Sequence, residues 1–212
     1  MKLHILLPAG PVRTNAYLLT DAASGEAILI DAPEGVWADV EPVLKAEGCS
    51  LRELWITHGH WDHMQGGAEV VEKSGTTVRA HEADRVLIET PDVMNGVLGP
   101  GVPVRPVKID ATVSQGDRLA AFGMEAEVRH VPGHCPGNVL FYFAPVKAAF
   151  VGDALFAGSV GRTDLPGGSS EELARSVREQ IYTLPGDTQV FSGHGKPTTV
   201  DRERTTNPFV RG

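Results

Sequence analysis

The sequence has 212 residues, of which 42% are hydrophobic and 22% are charged, and its formal net charge at pH 7 is −8. This length can bury a sizeable core, and we predict a single domain over residues 1–212. The acidic balance argues against nucleic-acid partners, and no apolar run is long enough for a membrane span. Two cysteines are too few for a disulfide framework, which favours a cytoplasmic location.

In the first half of the chain, short apolar runs alternate with helical patterns. Pro42 falls inside one predicted helix, either in its first turn or at a bend, and Gly48 is a typical stop signal for that helix. Residues 90–106 are rich in proline and glycine and predict a long irregular segment. The other predicted elements are an N-terminal strand, a hairpin of strands at 15–20 and 26–31, strands at 54–57 and 77–80, and helices at 36–47, 67–73 and 82–89.

The second half repeats this scheme. Its clearest helix is 169–184, where Ser169 and Glu172 match a capping box and an apolar stripe follows. Short connections predict mostly antiparallel strands at 117–121, 124–131, 138–144 and 148–152. A further strand is predicted at 188–191, after the helix. We therefore predict two sheets with outer helices.

The segment from Thr57 to His63 places three imidazoles and one carboxylate within six consecutive residues. Neutral imidazole nitrogen and carboxylate oxygen are the ligands that zinc and similar ions take. The segment follows a predicted strand, and α/β proteins tend to place their sites at strand ends. A histidine-rich surface loop without an ion is the alternative interpretation.

Three further candidate ligands, His134, Asp153 and His194, each follow a predicted strand and adjoin a glycine. Glycine permits the tight turns and close backbone approach that such sites need. A lone histidine after a strand is more often structural, but four strand-end positions in one chain indicate a metal centre. Two ions need about eight ligand positions, some of them filled by solvent. The candidate metal ligands are His58, His60, Asp62, His63, His134, Asp153 and His194.

These residues resemble the metallo-β-lactamase superfamily, because 57–63 matches its signature and the three later candidates follow its motif order. The resemblance implies an α/β fold, the four-layer αβ/βα sandwich of two mixed β-sheets flanked by helices. It also implies two divalent metal ions, zinc with iron or manganese as alternatives. One ion would be bound by His58, His60 and His134, the other by Asp62, His63 and His194, with Asp153 bridging the two.

Two positions carry further implications of the resemblance. Histidine at position 60 is similar to the hydrolytic branches, whereas diiron flavoprotein relatives carry glutamate there. Asp31 resembles the family's first motif, a buried carboxylate that supports the ligand loop and orients an imidazole. A helix or turn cap before Pro33 is the alternative role for Asp31.

The segment Gly161–Arg162–Thr163–Asp164 and the C-terminal motif around Asn207 resemble the short single-domain glyoxalase II-like subgroup. The resemblance implies hydrolysis of a small-molecule thioester such as S-lactoylglutathione by a metal-bound hydroxide. The chain ends soon after the last candidate ligand. We therefore expect it to lack the C-terminal helical domain that carries most glutathione contacts in glyoxalase II, which leaves the thiol half of the substrate open. A homo-oligomer is compatible with the sequence.

Two residues are candidates for roles beyond metal binding. Asp62 would orient the attacking hydroxide as a catalytic residue. Arg162 would bind a substrate carboxylate in bidentate fashion, with an internal ion pair to Asp164 or Glu203 as its alternative.

Two other functions stay open. Persulfide dioxygenases, which use a single iron, also carry the Gly-Arg-Thr-Asp motif, so sulfur oxidation is the first alternative. A metal-binding protein without turnover is the alternative from a different class. A β-lactamase is disfavoured, because neither the Gly-Arg-Thr-Asp motif nor the C-terminal motif is a lactamase feature.

Overall fold

The computed structural model describes residues 1–96 and 103–212. The chain divides into two compact units, Met1–Thr112 and Val113–Gly212. Each unit has its own cluster of buried apolar side chains. Part of the predicted irregular segment 90–106, namely 97–102, lies outside the described residues. The single domain over 1–212 stays a prediction.

A six-stranded sheet in strand order 1 to 6 forms the centre of the first unit. Strands β1, β2 and β3 are antiparallel neighbours, whereas β3, β4 and β5 run parallel. Four consecutive residues of β3, from Ala27 to Ile30, are buried, as expected of a strand covered on both faces. The strands are β1 (Lys2–Ile5), β2 (Tyr17–Asp21), β3 (Glu26–Ile30), β4 (Ser50–Trp55), β5 (Thr77–His81) and β6 (Ala111–Val113).

Three helices of the first unit lie at the predicted positions, whereas the short helix α2 (Trp61–Met64) falls in the predicted ligand loop and was not predicted. Helix α1 ends at Gly48, which adopts a φ of 67° and donates its N–H to the Leu44 carbonyl. Pro42 lies in the interior of this helix rather than in its first turn, and buried Val40 and Leu44 pack the helix onto the core. The helices are α1 (Trp37–Glu47), α2 (Trp61–Met64), α3 (Gly67–Ser74) and α4 (Arg85–Glu89), with 3-10 turns at Glu82–Asp84 and Pro91–Met94.

The second unit also contains a six-stranded mixed sheet, in the order β12-β11-β10-β9-β8-β7. Strands β7 to β10 are antiparallel neighbours, as the short connections predicted, and β10 runs parallel to β11. The strands are β7 (Arg118–Ala121), β8 (Met124–His130), β9 (Val139–Phe143), β10 (Ala148–Gly152), β11 (Gln189–Ser192) and β12 (Thr198–Thr199).

The predicted helix 169–184 begins as α5 (Ser170–Ser176) and continues as a π-helical turn, Val177–Ile181. Only half of its predicted capping box forms. Ser169 Oγ accepts the Glu172 N–H at 3.2 Å, but the Ser169 N–H donates to the Gly133 carbonyl at 2.8 Å. This contact ties the start of α5 to the turn before His134. A last helix, α6 (Val200–Thr206), follows β12. No helix within the described residues has both the length and the apolar character needed to cross a bilayer.

Candidate metal centre

The loop after β4 carries the four predicted ligands of the first unit. His58 and His60 lie in the loop itself, and Asp62 and His63 belong to the short helix α2 that follows it. His58 and His63 are buried, and His60 and Asp62 are half-buried. The structure therefore brings these four side chains together within one loop and the first residues of the helix that follows it.

The spacing of the first two imidazoles suits a shared ion. His58 Nε2 lies 3.1 Å from His60 Nδ1. Two nitrogens bound to one tetrahedral ion at about 2.0 Å each are about 3.3 Å apart. A single divalent ion could therefore accept both nitrogens with little movement of either ring.

Asp31 fixes which nitrogen each buried imidazole can offer. Its Oδ2 accepts the His63 Nδ1–H and the Thr57 hydroxyl, both at 2.8 Å. Since the Thr57 hydrogen points to Asp31, Thr57 Oγ1 accepts from His58 Nδ1 at 3.2 Å. Both rings thus carry their proton on Nδ1 and present the Nε2 lone pair, which is the metal-binding form of histidine.

Two further supports of this loop were not predicted from the sequence. Thr14 Oγ1 donates to Asp62 Oδ2 at 2.7 Å, and Asp84 Oδ2 accepts the Gly59 N–H at 2.7 Å. Thr14 and Asp84 are both fully buried. Thr14 lies between predicted strands and Asp84 inside a predicted helix, so neither carried a sequence signal of its own.

The three predicted ligands of the second unit lie at strand ends. His134 follows β8, and Asp153 and His194 follow the parallel neighbours β10 and β11. Asp153 Oδ2 lies 3.7 Å from His134 Nε2 and 3.4 Å from His194 Nε2. One carboxylate oxygen therefore faces two imidazole nitrogens, an arrangement that suits a carboxylate shared between ligand sets.

Backbone contacts with Gly161 and Arg162 hold His134 in place. His134 Nδ1 donates to the Arg162 carbonyl at 2.7 Å, so Nε2 is again the nitrogen that can bind a metal. Gly161 packs against the same residues, because a Cβ there would lie 2.0 Å from the Asp153 carbonyl oxygen and 2.9 Å from His134 Nδ1. Only glycine allows this close approach.

The Arg162 side chain pairs with Asp164 rather than with Glu203. Arg162 Nε and one terminal nitrogen donate to the two Asp164 oxygens at 2.7 and 2.8 Å. These hydrogen bonds lower the pKa of Asp164 to about 2. The alternative of an internal ion pair with Asp164 is therefore present, and substrate binding by Arg162 stays a prediction.

Glu203 has a different role. It is fully buried, where its carboxylate accepts the Gly158 N–H at 2.8 Å and the Thr198 hydroxyl at 2.6 Å. Asn207 adds a bond from its amide to the Ser159 carbonyl at 3.0 Å. The C-terminal motif thus holds the segment 156–162 that reaches His134.

The available donors fit divalent ions of borderline softness. Five imidazoles and two carboxylates match zinc or iron better than calcium or magnesium, which prefer all-oxygen ligands. The residues able to bind a metal are His58, His60, Asp62 and His63 in the first unit and His134, Asp153 and His194 in the second.

A family model described as the metallo-beta-lactamase superfamily matches residues 9–194. The chain belongs to this superfamily. It is 32% identical over 213 residues to the hydroxyacylglutathione hydrolase GloC of Haemophilus influenzae, covering 97% of this chain and 96% of that protein. It is 36% identical over 232 residues to a hydroxyacylglutathione hydrolase of Ruegeria pomeroyi, with coverages of 92% and 82%. These relatives confirm the predicted glyoxalase II-like resemblance.

Solved structures confirm the predicted fold class. The BLEG-1 B3 metallo-beta-lactamase is 33% identical, with a TM-score of 0.91 and full coverage of both chains. TTHA1623 in a di-iron-bound form is 34% identical, with a TM-score of 0.84 and coverages of 97% and 99%. ETHE1 from Myxococcus xanthus is 25% identical, with a TM-score of 0.76 and coverages of 98% and 84%. Two mixed sheets flanked by helices are thus the metallo-β-lactamase fold.

Proposed function

We propose that this chain is a metal-dependent hydrolase that cleaves thioesters of small thiols such as acylated glutathione. The similarity to two hydroxyacylglutathione hydrolases over nearly the whole chain supports this reaction class. The structural observation that carries the proposal is the orientation of His58, His63 and His134. Each ring donates its Nδ1–H to an oxygen and so presents Nε2 as a ligand.

The proposed ligand assignment follows the family resemblance, and the spacings within each unit support it. Zinc is the proposed metal, with iron or manganese as alternatives, since a relative has been solved in a di-iron-bound form. His58, His60 and His134 would bind one ion, Asp62, His63 and His194 the other, and Asp153 both.

Bound ions of this kind supply Lewis-acid polarisation of a carbonyl and lower the pKa of water toward neutrality. The contribution of the chain is to hold and orient the reactants. Asp62, fixed by the Thr14 hydroxyl, would accept a hydrogen bond from the attacking water and direct it at the carbonyl carbon. The water oxygen would form a C–O bond to that carbon, and the C–S bond would break with its electron pair going to sulfur. The released thiolate would take up the proton that the water gives up, so the products are a carboxylic acid and a thiol. A thiolate leaves readily, so no strong general acid is required.

The test is thioester hydrolysis by metal-loaded protein, with acyl-glutathione and acyl-coenzyme A substrates compared and the bound metals quantified. We expect Asp62→Ala to lower kcat at least about 100-fold, because positioned acid–base groups contribute that much. Asp92→Ala, which removes an exposed carboxylate, is the matched control. Unchanged turnover and metal content in Asp62→Ala would contradict the catalytic role. Loaded wild-type protein that cleaves no thioester would refute the function.

Persulfide oxidation at a single iron is the second candidate. It is favoured by the motif Gly161–Arg162–Thr163–Asp164, which resembles that of persulfide dioxygenases. Oxygen uptake by iron-loaded protein with glutathione persulfide, together with no thioester cleavage, would support this candidate instead. The similarity to BLEG-1 makes a chromogenic β-lactam a necessary third substrate in the same assay. Cytoplasmic location and oligomeric state stay predictions.

A further inference from the structure

We infer that Asp84 is a positioning residue that sets the metal affinity of His58 and His60 by holding the backbone between them. The inference rests on the proposed metal binding by these two histidines. It concerns a carboxylate that lies outside the ligand motif, 25 residues from its partner Gly59.

Asp84 lies at the end of the 3-10 turn Glu82–Asp84, directly before α4, and is fully buried. Its Oδ2 accepts the Gly59 N–H at 2.7 Å. A hydrogen bond to a charged acceptor is stronger than one between neutral groups, and a buried N–H left without an acceptor is costly. Loss of this hydrogen bond would therefore be costly, so the bond keeps the Gly59 backbone next to Asp84.

Steric contact restricts Gly59 as well. A Cβ at this position would lie 2.9 Å from the Cβ atoms of both Asp84 and Leu87. The backbone of Gly59 therefore packs directly on the start of α4. Because His58 and His60 flank Gly59 on either side, a shift of this contact would move both rings and change the 3.1 Å separation of their nitrogens.

The two buried carboxylates of this unit hold different parts of the loop. Asp31 binds its two ends, through the Thr57 N–H at 2.8 Å and the His63 ring at 2.8 Å. Asp84 binds the middle of the loop, through the Gly59 N–H. Asp31 thus orients individual rings, whereas Asp84 holds the backbone between two ligands and so helps to set the distance between them.

The experiment compares Asp84→Ala, Asp84→Asn and Glu82→Ala in the full-length protein, stripped of metal and reloaded. Glu82 is the matched control, because it belongs to the same 3-10 turn but has an exposed side chain. Zinc affinity is measured by competition with a chromophoric chelator, and ligand geometry by the visible absorption of the cobalt-loaded protein. Thermal unfolding of the metal-free proteins reports any general loss of stability.

We expect Asp84→Ala to weaken zinc binding about 10–100-fold, the usual effect of removing a residue that orients ligands, and to change the cobalt spectrum. Asp84→Asn keeps an oxygen that can accept the Gly59 N–H, so its affinity should stay within about threefold of wild type. Glu82→Ala should match wild type. A merely structural residue would lower thermal stability without changing the cobalt spectrum.

Wild-type affinity and spectrum in folded Asp84→Ala would overturn the inference. If that variant does not fold, Gly59→Ala decides, because it displaces the loop while leaving the carboxylate intact. We expect the same spectral change from it, and an unchanged spectrum would again overturn the inference. Wild-type protein that binds neither zinc nor cobalt would instead refute the proposed function itself.

Discussion

Asp62 is held by the hydroxyl group of Thr14. Thr14 Oγ1 donates to Asp62 Oδ2 at 2.7 Å. The carboxylate therefore has one preferred orientation before any substrate arrives. Orientation of this kind contributes to rate, because it removes rearrangements that would otherwise occur during the reaction.

We expect Thr14→Val, which keeps the shape but removes the hydroxyl, to lower kcat for thioester hydrolysis about 10- to 100-fold. The loss corresponds to one hydrogen bond to a charged group, which contributes about 1.5–3 kcal/mol. Thr14→Ser should restore most of the rate. Steady-state kinetics at matched metal content provide the measurement, and equal rates for Val and wild type would show that the bond is unimportant.

At the scale of single residues, the sequence predicts the metal ligands better than the residues that hold those ligands in place. The His-x-His-x-Asp-His spacing identifies its own members, because they are neighbours in the chain. Thr14 and Asp84 act on residues 48 and 25 positions away. Threonine in a loop and aspartate at a helix start both have common local roles, so only the folded chain reveals these contacts.

Helix α6 supports the segment 156–162 through Glu203 and Asn207. Both side chains are fully buried and bond to backbone groups of Gly158 and Ser159. The sequence identified this C-terminal motif only through a family resemblance. Neither α6 nor the two-residue strand β12 was predicted, because so short a strand depends on pairing with β11 rather than on its own pattern.

We expect Asn207→Ala to lower the free energy of unfolding by about 1–3 kcal/mol, since it leaves buried polar groups without partners. Asn95→Ala, at an exposed position, is the control and should change stability little. Urea unfolding of both variants measures the difference. Equal midpoints would show that the C-terminal motif does not stabilise the unit.

Gly161→Ala tests the close approach of the segment 156–162 to the ligands. The added methyl would lie 2.0 Å from the Asp153 carbonyl oxygen. We expect a loss of about 1–3 kcal/mol of stability from overpacking, together with weaker zinc binding. Gly96→Ala is the control, since a Cβ there meets nothing within 4 Å. Wild-type zinc affinity in Gly161→Ala would contradict this account of the packing.

At the scale of the whole molecule, the structure predicts a loss of folding stability at alkaline pH. Tyr182 donates its hydroxyl hydrogen to the Val210 carbonyl at 2.7 Å, and burial raises its pKa to about 12. The unfolded chain loses this proton near pH 10, so the folded state retains more protons between pH 10 and 12. The stability that neutral Tyr182 contributes is complete below pH 10 and is lost as the pH rises toward 12.

We expect the free energy of unfolding to fall by about 1 kcal/mol or more between pH 10 and 12, and Tyr182→Phe to reduce that fall. Denaturant titrations at several pH values measure it. A fall of the same size in both proteins would assign the effect to other groups.

Metal removal should also be visible in global stability. A ligand that binds only the folded state at 100 times its dissociation constant adds about 2.7 kcal/mol. We expect chelator-treated protein to unfold at a lower temperature and added zinc to restore the original value. Identical unfolding with and without metal would contradict the proposed centre.

Cys49 and Cys135 are both buried. If the proposed function holds, a chromogenic disulfide reagent added to the folded protein should therefore report only the mercaptan that is liberated from substrate, and turnover could be followed continuously with little background. The same reagent has a second use. In the absence of substrate, the rate of slow colour development would measure how often the chain opens far enough to expose its own two sulfhydryl groups.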